Sequence, residues 1–235
     1  SKVTAEYHHL EEFRRGGDNL DLPPHEVMIA EQTKHGINTG GLKFDWFSKD
    51  QKHRLNTFAS IQHIDRESYY GAGMDPNAYG QTGDLTWVGG AQYIHKADNC
   101  LFMPADLTAG IEYNFDGLDD VILGYNRNFN QDIHITSAFL QNEWKNKQWS
   151  FLVGGRLDKH NLINNVIFSP RVNLRYNPTE SVNLRASYAG GFRAPQAFDE
   201  DLHVGVVGGE RLVTVLADNL KEERSHSFSL SSDMY

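Results

Sequence analysis

The chain has 235 residues, 39% hydrophobic and 11% aromatic, which suits one folded domain or a large piece of one and excludes a disordered tail. Its formal charge is -9, from 22 basic against 31 acidic residues with no basic cluster, which argues against nucleic-acid binding. The single cysteine, Cys100, excludes an intramolecular disulfide and a multi-thiolate metal cage.

No stretch approaches the roughly 18 consecutive apolar residues of a membrane-spanning helix. A mean hydropathy of -0.55 still leaves the membrane open, because a transmembrane β-barrel hides its apolar face at period two. The chain opens on Ser1-Lys2-Val3-Thr4 without a signal-like region and closes on Ser231-Ser232-Asp233-Met234-Tyr235 inside an alternating run. It is therefore expected to be a piece of a longer protein.

Alternation predicts strands from end to end. It is weak over about residues 2–14, 32–47, 54–68 and 85–96, then clear where Leu107, Ala109, Ile111, Tyr113 and Phe115 oppose Thr108, Gly110, Glu112 and Asn114. After a weaker run over 133–145, Trp149, Phe151, Val153 and Leu157 alternate with Ser150, Arg156 and Asp158. Val166, Phe168, Pro170, Val172, Leu174 and Tyr176 then face Ile167, Ser169, Arg171, Asn173 and Arg175. Val182, Leu184, Ala186 and Tyr188 oppose Ser181, Asn183, Arg185 and Ser187; Phe228, Leu230 and Met234 oppose Ser225, Ser227, Ser229, Ser231 and Asp233. That makes about ten strands, with no convincing helical periodicity.

Short polar connections fall at 48–51, 146–147 and 177–180, and long ones at 16–31, 69–84, 116–132, 159–165 and 192–221. Consecutive strands joined in this way predict an all-β, antiparallel up-and-down meander. Short turns at one end, long loops at the other and Trp149, Trp144, Tyr176 and Tyr188 near strand ends favour a membrane barrel over a soluble β-sandwich.

Several stretches resemble the barrel of TonB-dependent outer-membrane receptors of Gram-negative bacteria. Gln141-Asn142-Glu143-Trp144, a short turn and Gly154-Gly155-Arg156-Leu157-Asp158 look like two adjacent strands of that family. Ser169-Pro170-Arg171 closing on Tyr176-Asn177-Pro178 is similar to the next strand and its turn. Gly191-Phe192-Arg193-Ala194-Pro195 resembles the Phe-Arg-Ala-Pro start of a long extracellular loop, and Asn219-Leu220-Lys221-Glu222-Glu223 its return. Glu222 stands there where the family usually has proline. The resemblance is strongest over residues 133–235.

It implies that residues 1–235 are a partial transmembrane barrel domain, part of a 22-stranded β-barrel whose plug domain and remaining strands are absent. It further implies a bacterial outer-membrane receptor for a scarce nutrient such as a ferric siderophore, cobalamin, haem or a glycan. Energy would arrive through a periplasmic TonB protein acting on the plug. The expected partners are the small-molecule nutrient, TonB and outer-membrane lipid, with no nucleic acid and no resident cofactor. An outer-membrane barrel enzyme or adhesin, or a soluble β-sandwich binding module, is the alternative. Ten strands leave two open edges, so the isolated piece is expected either to bury its apolar face in itself or a neighbour, or to close as a smaller barrel.

Ligand capture is expected in the long loops. Tyr69, Tyr70 and Tyr79, with Trp87, offer rings for stacking a planar ligand, against a packing or girdle role. Arg193 is a ligand contact or a loop brace. Asp199, Glu200, Asp201 and His203 form an acidic run with one imidazole, either a hard-cation site or a solvated loop. The eleven histidines show no metal-binding spacing, and no G-x-S-x-G nucleophile elbow occurs, so neither a metal site nor a catalytic residue is expected.

Overall fold

The computed structural model describes residues 1–197, 202–207, 210–217 and 219–234. The strands, in chain order, are β1 (Lys2–Gly17), β2 (Ile29–Phe47), β3 (His53–Ala72), β4 (Tyr79–Cys100), β5 (Met103–Ile122) and β6 (Arg127–Lys145). They continue as β7 (Trp149–His160), β8 (Ile167–Thr179), β9 (Val182–Arg193), β10 (Gly205–Val207), β11 (Glu210–Leu212) and β12 (Glu223–Met234). Ten of them form one antiparallel sheet in the order β1-β2-β3-β4-β5-β6-β7-β8-β9-β12, and β10 pairs only with β11. The expected meander is therefore present, interrupted once by a small hairpin in the last connection. A single continuous sheet is not a sandwich. β1 and β12 end the ladder without pairing with each other, so the sheet is open rather than a smaller closed barrel.

Side chains alternate across the sheet, and the register carries each face intact from strand to strand. Phe168, Val172, Leu174 and Tyr176 lie opposite Leu157, Val153, Phe151 and Trp149 on one side. Arg171, Asn173 and Arg175 lie with Gly154, Leu152 and Ser150 on the other. The first side is apolar and the second polar, the pattern expected of a lipid-facing and a lumen-facing side. Trp149 stacks on Tyr176 at 4.1 Å, and Trp144 on Phe151 at 5.8 Å, close to the short turns. Gly155 leaves room for the Phe168 ring to cross it, since a Cβ there would lie 2.4 Å from that ring and push it aside.

The short turns are held by local polar chemistry. Ser48 Oγ donates to Asp50 Oδ1 at 2.5 Å and the Lys52 amide donates to the same oxygen at 3.0 Å. Together these bonds hold the exposed Asp50 carboxyl below the usual carboxylate range, the hydroxyl contributing most.

At the other end the expected loops are shorter than the sequence suggests. β3 to β6 run to 19–22 residues, about twice the roughly 9–11 needed to cross a bilayer. Residues 69–72 and 79–84 belong to strands, and the β3–β4 and β5–β6 connections shrink to 73–78 and 123–126. Beyond the bilayer both faces are wet, so Glu67, Gln81 and Asp119 occupy outward positions and the apolar contrast that marks a strand disappears.

Candidate functional site

Most buried side chains gather at the long-connection end, with a few, such as Ser137 and Asp158, in mid-sheet and Asp45 and Ala105 near the short turns. The segment after β9 folds back against the lumen-facing side of the sheet. Ala197 and Leu202 pack on Leu118, and Val204 packs on Tyr70 and Ile122. Polar bonds fix the same segment: the Ala197 amide donates to Gln131 Oε1 at 2.9 Å. His160, fully buried, accepts the Leu162 amide at Nδ1, so its Nε2 carries the proton that reaches Gln196 Oε1 at 3.1 Å. His203 Nε2 meets Glu31 Oε1 at 3.0 Å.

Two adjoining cavities of about 320 and 380 Å³ lie beneath this cover, and both are lined by Arg14, His35 and Arg66. Carboxylates share the walls: Glu12, Asp84 and Asp116 in the first, Glu31 in the second. Deeper in the wall Asp120, almost fully buried, accepts Thr82 Oγ1 at 2.6 Å and pairs with Arg127 Nε at 2.6 Å, while an Arg66 nitrogen lies 3.7 Å away. Arg66 Nε also donates to Thr82 Oγ1 at 3.1 Å. Farther along, Arg156 reaches Glu112, Asp158 and Ser137, each at 2.7 Å. The lumen wall is thus a cross-strand lattice of paired charges, which fixes the side chains that border the cavities. It is suited to hydrogen-bonding a polar, multifunctional ligand. Among the described residues no group of three or more His, Cys, Asp or Glu is placed to hold a metal ion.

The residues singled out from sequence fall in different surroundings. Tyr69 and Tyr70 are strand residues of β3 and both are buried, which corrects their expected loop position. Tyr69 packs with Val27, Ala30 and Ala78 and donates to the Asp75 carbonyl at 3.0 Å. Tyr70 sits under Val204, its carbonyl accepting the Tyr125 hydroxyl, with His203 edge-on at 5.1 Å. Tyr79, in β4 rather than a loop, meets Tyr69 edge-on at 4.8 Å and stays 44% exposed, its hydroxyl 2.8 Å from His25 Nδ1. Trp87 is an outward residue of β4, tilted against Tyr113 at 4.8 Å. Arg193 ends β9 opposite Glu223, exposed and six strands along the sheet from β3. Asp199, with Glu200 and Asp201, lies outside the described residues.

Sequence reasoning missed Arg14, His35, Arg66, Asp120 and Arg127. One signal was available for the last two: they flank the short turn at Leu123–Tyr125 on the lumen-facing parity of β5 and β6.

Residues 13–235 match the family described as TonB dependent receptor-like, beta-barrel. The chain belongs to that family. This TonB-dependent receptor barrel accordingly sits in the bacterial outer membrane, and its family is one of receptors rather than enzymes. No curated protein matches the sequence. Solved barrels are similar in fold. The alcaligin outer-membrane receptor FauA of Bordetella pertussis superposes with a TM-score of 0.65 at 13% identity, over 98% of this chain and 36% of that one. The siderophore receptor PirA of Acinetobacter baumannii gives 0.61 at 15% identity, over 87% and 33%. The ferric enterobactin receptor PfeA of Pseudomonas aeruginosa, in complex with enterobactin, gives 0.61 at 20% identity, also over 87% and 33%. This receptor chain spans about a third of the length of these structures. Its Arg156 and Asp158, within the family-like Gly-x-Arg-x-Asp run, form the lumen lattice, and Phe192-Arg193-Ala194-Pro195 opens the connection that covers the cavities.

Proposed function

We propose that residues 1–235 form ten strands of the barrel domain of a receptor that takes up a ferric siderophore. The plug and the remaining strands lie outside this chain, and TonB drives transport through the plug. The observation that carries this reading is the charged lumen wall with its two cavities beneath the segment after β9. The similarity in fold to alcaligin and ferric enterobactin receptors supports the choice of nutrient. In this reading Arg193, Asp199 and His203 meet the ligand as it enters and the buried ring of Tyr70 frames them, while Tyr69 and Tyr79, on the outward parity of β3 and β4 with Glu67 and Gln81, brace the outer side of the same strands.

The test is ligand titration of the full-length receptor with a panel of ferric siderophores, haem, cobalamin and glycans. Saturable binding of a ferric siderophore is expected, weakened roughly tenfold by His203→Ala or Arg193→Ala, the scale of one lost polar contact at a binding site. Binding confined to cobalamin, haem or a glycan would replace the nutrient.

A further inference from the structure

The lipid-facing side of the sheet is not uniformly bulky. Over β4 to β7 it sinks into a groove of about 630 Å³ with almost entirely apolar walls, the small residues Gly89 and Ala91 forming its β4 side, within the range of roughly 300–1,000 Å³ of ligand sites. Its shape follows from two cross-strand rows. In one, Ala138 lies between Ile111 on β5 and Leu157 on β7; in the next, toward the long connections, Thr136 lies between Tyr113 and Lys159. Ala138 and Thr136 are the floor, and Ile111 and Leu157, 65% and 50% exposed, are the walls. Toward the short turns the outward residue of β6 is Leu140, which ends the depression.

The end toward the long connections is polar and cationic. Lys159 Nζ donates to the carbonyls of Ile163 and Asn164 at 2.7 and 2.8 Å. These are neutral acceptors, so the ammonium charge is oriented without being cancelled, and one of its three donors remains for another partner. Thr136 brings a hydroxyl into the same row, and the Tyr113 hydroxyl is paired with His134 Nδ1 at 2.6 Å. The outward carboxylate of the same strand, Asp132, lies four residues closer to the long connections than Thr136. In barrels of this class the long connections are extracellular, so the cationic end stands at the level of the outer leaflet's headgroups.

We propose that this groove is a lipid site, holding one acyl chain of a phosphorylated, multiply acylated lipid of the outer leaflet between Ile111 and Leu157 with its phosphate on Lys159. A continuous bulky wall would meet hydrocarbon with side chains alone. A trough with an uncancelled cation at its headgroup end instead selects a lipid that carries both an acyl chain and an anion. The site is on the opposite face from the lumen cavities, so it is independent of the nutrient.

The test uses the full-length receptor, purified from outer membranes in mild detergent and examined by native mass spectrometry, with folding read from heat-modifiable migration. Wild type is expected to retain one such lipid. Ala138→Phe, which fills the trough, and Lys159→Gln, which removes the charge, should each reduce the retained fraction by roughly tenfold or more. Ala186→Phe, outward on β9, should leave it unchanged. A lipid with the same chains but no phosphate should exchange in poorly. Should Ala138→Phe fail to insert, Lys159→Gln and the dephosphorylated lipid decide the matter. Wild type free of lipid, unchanged retention in Lys159→Gln, or equal uptake of the dephosphorylated lipid would overturn the proposal.

Discussion

Arg156 shows how one side chain organises the lumen wall. Its guanidinium joins Glu112 on β5, Ser137 on β6 and Asp158 on its own strand, while Ser137 also donates to Asp158 at 2.6 Å. Asp158 and Ser137 are buried, whereas Arg156 is 35% exposed, so water screens part of the interaction. Arg156→Met leaves the Asp158 carboxylate without its cation and is expected to lower stability by about 1–2 kcal/mol, the lower part of the range for charge-assisted bonds. Arg156→Lys recovers only a fraction, because an ammonium cannot reproduce the planar fork. Denaturant unfolding of the full-length receptor in lipid vesicles measures both; unchanged stability in Arg156→Met would show that the lattice is ornamental. Tyr70 makes the opposite point about legibility. An exposed stacking ring and a packed one look the same in sequence, and what buries Tyr70 is Val204, brought over it by a distant connection. The same long-range folding hides Arg14, His35 and Arg66, which lie on separate strands and border common cavities only once the segment after β9 covers them.

At the scale of the strand, legibility tracks the solvent. β8 was readable residue by residue because hydrocarbon on one face and a wet lumen on the other enforce strict alternation. The ends of β3 to β6 toward the long connections carry no strand signal in the sequence because water on both sides removes that contrast, although the hydrogen-bonded ladder continues through Tyr69 paired with Tyr79. β7 offers a direct check on which face meets lipid. Val153 points outward, opposite Val172, and Leu152 points into the lumen, in register with Glu143 on β6. Val153→Lys should cost about 2–4 kcal/mol, as a lysine near the bilayer midplane does, whereas Leu152→Lys should cost at most about 1 kcal/mol because the lumen is polar. Equilibrium unfolding from vesicles compares the two neighbours under identical conditions. Equal penalties, or a larger one for Leu152→Lys, would reverse the assignment of faces.

The whole sheet depends on what closes it. In an antiparallel edge strand every second residue directs its N–H and C=O away from the only neighbour, so β1 and β12 each present a row of backbone groups that the ladder leaves unpaired. Hydrocarbon supplies no replacement bonds, and each unsatisfied group costs several kcal/mol there. The outward side adds an apolar burden, with Val3, Tyr7 and Phe13 exposed on β1 and Phe228, Leu230 and Met234 on β12. The 235-residue chain produced alone is therefore expected to associate through both edges in the absence of detergent, eluting as a broad oligomer by size-exclusion chromatography and binding hydrophobic dyes. Hydrogen exchange should divide it by strand: slow amides throughout β4 and β5, flanked on both sides, and fast exchange at alternate residues of β1 and β12. Within the closed barrel of the full-length receptor those alternate residues should become as slow as the centre. A sharp, dye-negative monomer with uniformly protected edges would mean that this chain closes its sheet by a pairing different from the open order seen here.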